Sequence, residues 1–444
     1  MNERLTVCLI GDILVDVTLK NISTSYKLRL GGIVHAARGL WALGTDYSVG
    51  YFAPQYLDKD IHEFLKEYGC RSIVKLGNVS GSPYIILIDD AKEAGNQGYE
   101  FLLRNGISLD YNKKAWEDLL SQNFSDLFFI SGNYNLPSLV DVIPNKTRLH
   151  IDFANNVKDV KILSGFEQIF STLFISTSSD IFHDLFDGDF ITYSRRFQPY
   201  TDRLILKENR GGSRGIDFRD NNLTNAPSQT QPIVHSVGVG DVYDVTFISH
   251  IQRVSLKESM VIASWIAAEY AVTTYPDDFK TSVSRIIKST IMDLISLGGV
   301  QLPWEIRSKI NIYIAAPDFN YMDRSPIDRL VACLEYHNFK PRRPILENGQ
   351  TEETTTAREK RDIYVKDLKL LAECQMLIAV LLDNDPGTFI EIGLAAERGM
   401  PVIIYDPYQI GKNCMLTQIP DLISSNIDEI ISVVFIYSSK LDNI

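Results

Sequence analysis

Two short stretches carry residues whose types and spacing could do chemistry. In the first, His235 to Asp244 (HSVGVGDVYD), Gly238 and Gly240 flank Val239, Asp241 follows at once, and an apolar helical run begins at Val245. Glycines let the backbone turn tightly, and a helix start with bare N–H groups is an anion site. A carboxylate beside it can take a proton from an attacking hydroxyl while the N–H groups hold phosphoryl charge. The plainer reading is a strand-to-helix turn with Asp241 as a cap. In the second stretch, Asp383 to Ala395 (DNDPGTFIEIGLA), Asp383 and Asp385 stand on a loop and Glu391 follows about one turn into a helix. Carboxylates at the C-terminal edge of a parallel strand are costly unless they meet a partner or water. Here the plainer reading is an acidic loop before a helix whose first turn favours Asp and Glu.

An alternating α/β pattern must position both stretches. Leu5–Ile10 reads as a buried strand ending at Gly11-Asp12, with Asp16 beyond, where ligands bind in open α/β sheets. Lys20 to Arg29 could form a small β-excursion, and Gly31-Gly32 leads into a helix from Ile33 to Leu43 closed by Gly44. Further strands are predicted at Ser48–Phe52, Leu127–Ser131, Leu149–Phe153 (with Asp152 near its end), Leu173–Ser176 and Arg203–Lys207. Ser82–Asp89 and Tyr99–Leu103 read as a strand pair around a polar turn. Helices are predicted over Asp60–Tyr68, Lys257–Val272 and Val283–Leu297. A break at Gly298-Gly299 to Pro303 precedes a second α/β pattern. It runs strand Asn311–Ala315, helix Ser325–His337, polar loop Glu347–Glu359, helix Asp362–Ala372 and strand Met376–Leu382. Helix Gly387–Arg398 and strands Pro401–Tyr405 and Ile431–Tyr437 complete it. Two α/β domains are expected, residues 1–302 and 309–444.

Composition narrows the function classes. The chain has 444 residues, 45% hydrophobic and 23% charged, as an ordinary globular protein does. A net charge of −12 argues against a nucleic-acid-binding face but leaves room for a local phosphate pocket. No apolar run approaches the ~18 residues of a membrane span, so no membrane partner is expected. The opening MNERLTVCLIGD reads as a first strand, not a signal peptide. The five cysteines are far apart, odd in number and without metal-ligand spacing, which fits a reducing cytoplasm.

Residues 1–302 resemble the ribokinase-like carbohydrate kinases, often called PfkB. GDILVD (Gly11 to Asp16) looks like the family's opening strand, GGIVHAARGLWALG (Gly31 to Gly44) like its di-glycine motif and helix, and SVGVGDVYDVTF (Ser236 to Phe247) like its C-terminal signature. The resemblance implies a central sheet between helices with a small β-lid, supplied by Lys20–Arg29 and Tyr84–Leu103. It implies ATP- and Mg2+-dependent phosphate transfer to a hydroxyl of a sugar or nucleoside. Asp241 would be the base, the Gly238, Val239 and Gly240 N–H groups the anion hole, and Asp16, Gly32 and His35 the acceptor pocket. The match has departures. His35 stands where the family has asparagine, and His235 where it has aspartate. The magnesium-organising motif is reduced to Thr177–Asp180, leaving Asp180 as its one acid, and the nucleotide strand becomes Lys207–Gly212. A domain that binds its ligand without turnover is the alternative these departures raise.

Asn311 to about Pro407 resembles the nucleoside 2-deoxyribosyltransferases. NIYIAAPDF, YVKDLKLLAECQMLIAVLLD and DPGTFIEIGLAAERGMPVI look like the family's successive motifs. The resemblance implies a smaller doubly wound parallel sheet of Rossmann or flavodoxin type, with Tyr313 and Asp367 in the site, Asp385 near the base and Glu391 as nucleophile. Such a carboxylate suits the oxocarbenium-like state of N-glycosidic cleavage, while a second acid helps the base leave. An asparagine that a neighbouring subunit supplies in the family has only Asn413 and Asn426 as candidates. The resemblance also implies a homo-oligomer.

Together these readings give a bifunctional enzyme of nucleoside or nucleotide metabolism whose partners are small molecules: nucleosides, nucleotides or sugars. The alternative is a nucleotide-sensing pseudokinase domain that gates a nucleotide- or NAD-degrading N-glycosidase effector.

Overall fold

Val7 to Ile10 are fully buried, as residues of a central strand covered on both faces must be. Around this strand the computed structural model describes residues 5–441, apart from 21–24, 104–105, 133, 141–142, 144–145, 154–156, 158, 166–167 and 352–353. The chain divides into two compact units, one of residues 1–92 and 97–301 and one of residues 93–96 and 302–444.

The first unit holds two sheets. Its strands are β1 (Thr6–Asp12), β2 (Val15–Thr18), β3 (Lys27–Leu30), β4 (Asp46–Ala53), β5 (Ile73–Ser80), β6 (Ile85–Ile88) and β7 (Glu100–Phe101). They continue with β8 (Ser108–Tyr111), β9 (Asp126–Ile130), β10 (Arg148–Asp152), β11 (Thr172–Ser176), β12 (Arg203–Lys207), β13 (Ser213–Asp217) and β14 (Asn222–Ala226). The ten-stranded sheet has the order β14-β13-β12-β11-β10-β9-β1-β4-β5-β8. It is parallel from β12 to β5 and antiparallel at both edges. The chain winds outward from β1 to β4 and β5, then returns to β9 and winds the other way. The C-terminal ends near that reversal are where such sheets bind ligands. The helices Val34–Leu43, Val239–His250 and Leu256–Val272 bury Val34, Leu40, Val242, Val245, Met260 and Ile266 in one cluster with Val7, Leu9 and Val49 of the sheet. A second sheet, β3-β2-β6-β7, is the small β-lid expected of a ribokinase-like architecture. Residues 21–24 of the predicted Lys20–Arg29 excursion lie outside the described residues.

The second unit has strands β15 (Asn311–Ala315), β16 (Lys340–Arg342), β17 (Met376–Val380), β18 (Val402–Tyr405) and β19 (Leu422–Ser424). They form an all-parallel sheet of order β16-β15-β17-β18-β19. In domain order this is 2-1-3-4-5, the flavodoxin-like winding, whose reversal lies between β15 and β17. Both architectures agree with the expected fold class. Among the described residues no helix is long and apolar enough to cross a membrane.

Three local expectations are corrected. The segment Ile431–Tyr437, predicted as a strand, lies within the helix Ile427–Ser438. Its β-branched residues favour strands, but the Asn426 side chain caps the helix and Ile427, Ile430, Ile431, Val434 and Phe435 bury one face at helical spacing. The predicted helix Val283–Leu297 is two helices, Pro276–Lys288 and Ile291–Ser296, because Ser289 leaves the first in extended conformation and Thr290, also extended, caps the second. The polar stretch Glu347–Glu359 contains the end of a short helix, Pro344–Asn348, and the start of the helix Ala357–Ala372. There Thr356 and Glu359 form a reciprocal capping box, while residues 352–353 lie outside the described residues.

Candidate active sites

In the first unit the chemistry-bearing residues gather at the C-terminal edge of the parallel strands. Asp16 on β2 is buried and sits opposite Arg29 on β3. Its Oδ2 is 3.0 Å from His35 Nε2 and 3.8 Å from Arg29 Nε. A carboxylate can only accept, so Nε2 of His35 carries the proton and Nδ1 accepts from the Tyr270 hydroxyl at 2.7 Å. Burial lowers the His35 pKa, against the pull of its bond to Asp16, and holds the ring neutral. A Cβ on Gly31 would stand 2.0 Å from Asp16 Oδ1, and one on Gly32 (φ +65°) 2.1 Å from the Asp12 carbonyl oxygen. Only glycines permit this close passage.

The same cluster reaches the GVGD turn. Gly238 has φ +83°, and its Cβ would stand 2.2 Å from the His35 ring. Asp16, Gly32 and His35 are thus next to the residues expected to hold an anion. Of the three N–H groups expected in that role, Val239 N–H donates to the Ser236 carbonyl at 3.1 Å, which leaves those of Gly238 and Gly240. Asp241 lies in the first turn of the helix Val239–His250 with part of its surface open to solvent. Burial pushes its carboxyl up to about 7, Asp152 and Asp16 add to the rise, and Lys207 opposes it. A carboxyl of this kind is half ionised near neutral pH and suits general base catalysis.

Asp180 does not join this group. It is exposed at the start of the helix Asp180–Leu185, and among the described residues no three His, Cys, Asp or Glu side chains converge to hold a metal. These residues do not by themselves form a magnesium site. His235 is buried, its Nε2 donates to the Thr273 carbonyl at 2.9 Å, and burial with nearby Arg29 lowers its pKa to about 3. It is a neutral structural residue.

In the second unit the site lies at the winding reversal. Tyr313 on β15 is buried, and its hydroxyl donates to Glu391 Oε1 at 2.6 Å. Glu391 is half-buried on the helix Pro386–Glu397. Burial pushes its carboxyl up to about 7; the Tyr313 bond lowers it, while Asp367 and Asp385 raise it. Burial and the Glu391 charge raise the Tyr313 pKa, so the phenol stays a donor. Asp385 is the N-cap of Glu391's helix: its Oδ2 accepts from Thr388 N–H at 2.7 Å and from the Thr388 hydroxyl at 2.8 Å. Asp367, on the helix Ala357–Ala372, accepts from Asn348 Nδ2 at 2.8 Å, and burial raises its pKa. Tyr313, Asp367 and Asp385 therefore all act on the Glu391 carboxylate. Asp383 is exposed and accepts from Asn384 N–H. Asn413 and Asn426 each cap a helix through the side-chain oxygen, at 2.9 Å from Met415 N and 3.1 Å from Asp428 N.

Residues 312–417 match the family model for nucleoside 2-deoxyribosyltransferase. No curated protein matches the chain. Among solved structures the chain is similar to the tetrameric inhibited form of phosphofructokinase-2 from Escherichia coli, with 13% identity and a TM-score of 0.48 over 64% of this chain and 99% of that one. It is also similar to a nucleoside kinase from Methanocaldococcus jannaschii, an archaeal member of the ribokinase family. That match has 14% identity and a TM-score of 0.43 over 64% of this chain and 98% of that one.

Several residues that build these sites escaped the sequence reading. Asn348, which holds Asp367, lies in a stretch that reads only as polar loop. Tyr270 reads as one more apolar position of a helix, yet it orients His35. Asp244 carried a signal: three residues after Asp241, it stands on the same side of the helix.

Proposed function

We propose that the chain joins two activities on nucleosides or nucleotides: cleavage or exchange of an N-glycosidic bond by residues 309–444, and transfer of phosphate from ATP to a sugar or nucleoside hydroxyl by residues 1–302. The observation that carries the reading is the 2.6 Å bond from Tyr313 to Glu391 within the matched segment, with Asp367 and Asp385 acting on the same carboxylate. Tyr313 holds Glu391 in one orientation. The Glu391 carboxylate, beneath the anomeric carbon, bonds to it or stabilises its positive charge as the base departs. Asp385 or Asp367 supplies the proton that the leaving base needs. A second base or water then completes exchange or hydrolysis.

In the other unit Asp16 accepts from an acceptor hydroxyl, and Asp241 takes the proton of the hydroxyl that attacks. The Gly238 and Gly240 N–H groups hold the charge that develops on the transferred group. ATP arrives as its magnesium complex, which supplies charge neutralisation on the phosphates. By resemblance the working assembly is a homo-oligomer, and the scattered, odd-numbered cysteines favour the cytoplasm.

Mass spectrometry of a nucleoside, nucleotide and NAD panel incubated with Mg-ATP tests both halves. Free base should vanish in Glu391→Gln alone, and phosphorylated product in Asp241→Asn alone. Base release that survives Glu391→Gln would remove the first half, and transfer that survives Asp241→Asn the second.

A further inference from the structure

The ends of β10 and β12 and the first turns of the helix Val239–His250 hold a cluster that the chemistry above leaves unused. Lys207 Nζ lies 3.0 Å from Asp152 Oδ2 and 2.7 Å from Asp244 Oδ2. To reach Asp152, the lysine passes across β11 with its ammonium 5.8 Å from the centre of the Phe174 ring. The two carboxylates are buried and the lysine nearly so. The ammonium also comes to the mouth of the helix, because a Cβ built on Gly240 would stand 3.3 Å from Nζ. Glycine at 240 leaves that approach open.

An ammonium has three donors. Two are directed at Asp152 and Asp244, and the third remains. Each carboxylate meets the lysine through one oxygen only, and the buried Oδ1 atoms of both have no partner. Two buried carboxylates beside one cation do not both ionise readily. Burial holds Asp244 well above the usual carboxylate range; Lys207 pulls it down, and neighbouring Asp152 pushes it further up. Burial works against the charge on Lys207, but Asp152 and Asp244 outweigh it and raise the lysine's pKa. The result is an ammonium held in one place between two acids, next to open backbone N–H groups.

We infer that Lys207 is a catalytic residue of the phosphoryl-transfer site, donating to the donor phosphate beside the Gly238 and Gly240 N–H groups, with Asp152 and Asp244 as the residues that position it. The inference rests on the reading of the first unit as a phosphotransferase. In the transfer, the acceptor hydroxyl oxygen bonds to the terminal phosphorus of ATP. The bond from that phosphorus to the bridging oxygen breaks, its electron pair leaves with ADP, and the hydroxyl proton passes to Asp241. Lys207 stays protonated and bonds to a non-bridging oxygen throughout. A lysine used this way supplies positive charge without reorganisation at the moment of reaction. The charged and titratable groups that act on Asp241 are Asp16, Asp152 and Lys207. Tyr270 feels its charge, and Tyr243 borders Asp244 and Lys207.

The test compares full-length wild type, Lys207→Arg, Lys207→Met and Lys207→Met/Asp244→Asn. The double variant removes an acid that would otherwise lose its cation, so it keeps the test usable if the single variant does not fold. Two readouts are taken: binding of ATP and of pyrophosphate by calorimetry, and Mg-ATP-dependent transfer from pH 5 to 9. Loss of a charge-assisted bond should weaken binding of both ligands by about 10-fold or more. Loss of an electrostatic donor in the transition state should lower kcat by about 100-fold, with acceptor KM little changed. The acidic limb of the kcat profile should move to higher pH, because Asp241 loses the one cation that draws its proton affinity down; the readout that separates a phosphate ligand from a lysine that only holds the fold together is binding of ATP and pyrophosphate, which the latter would leave in place. Lys207→Arg should recover part of each loss. Unchanged binding in both Met-containing variants would overturn the assignment, as would wild type that binds neither ATP nor pyrophosphate. If transfer depends on Asp241 but ignores Lys207, the phosphotransferase reading stands and this assignment falls. If binding depends on Lys207 but no transfer occurs with any acceptor, Lys207 is a phosphate ligand only, and both its catalytic role and the phosphotransferase reading fall.

Discussion

Replacing Tyr313 with phenylalanine removes one atom, the hydroxyl oxygen that sits 2.6 Å from Glu391 Oε1, and leaves the buried ring in place. That bond stabilises the ionised carboxylate and lowers the Glu391 pKa against burial and the Asp367 and Asp385 charges. A hydrogen bond to a charged group contributes about 1.5–3 kcal/mol. One pKa unit corresponds to about 1.4 kcal/mol, so Glu391 should rise from about 7 by roughly one to two units. At pH 7 its ionised fraction would fall from about half to about 1–10%. Base release in Tyr313→Phe should therefore drop about 5- to 50-fold at pH 7 and recover toward wild type near pH 9. The assay is chromatographic quantification of free base from the best substrate between pH 5 and 10, with Glu391→Gln as the inactive control. An acidic limb that stays where wild type has it, or moves down, would refute the claim that Tyr313 acts by holding the Glu391 charge.

Stability should respond to the same carboxylate. Its folded pKa of about 7 lies above the ordinary 4.5, so the stability contributed by its bound proton is present below pH 4.5 and lost as pH rises through 7. Glu391→Gln should gain on wild type over that window, by up to about 3 kcal/mol in urea titrations, and wild type gaining instead would reverse the sign of the argument. Gly238→Ala places a Cβ 2.2 Å from the His35 ring at φ +83°; calorimetry should show a loss of at least about 2 kcal/mol, and a variant as stable as wild type would remove the strain argument. Asp385→Asn keeps a cap for the helix Pro386–Glu397 whereas Asp385→Ala loses one, so the alanine alone should cost about 1 kcal/mol of stability, while both should slow base release. Equal activity in Asn and wild type would limit Asp385 to capping.

Residues close in sequence declared much of this protein. Gly238, Gly240 and Asp241 sit within four positions, and Asp385 stands six before Glu391, so one turn and one helix start suffice to bring each set together. Gly44 and Gly399 mark helix ends because left-handed backbone favours glycine wherever it occurs. The alternation of strands and helices likewise follows from local periodicity, and with it the α/β class of both units. Local signals failed where two of them competed. In Ile431–Tyr437 β-branched residues argue for a strand, but the cap at Asn426 and a packed face argue for a helix, and packing prevailed.

Tertiary structure alone decided how distant charges meet. Asp152, Lys207 and Asp244 belong to three elements, and only the order β12-β11-β10, with the helix Val239–His250 above it, places one ammonium between two acids. Asp16 finds His35, and His35 finds Tyr270, 235 residues further along. Tyr313 and Glu391 are 78 residues apart and share a proton donor and acceptor. The pKa values near 7 at Asp241 and Glu391 come from burial and from neighbours that folding supplies. Sequence determines which groups are present and which turns they stand on. The charge each group carries depends on dielectric surroundings and on partners within a few ångströms, and those exist only once the sheets are assembled.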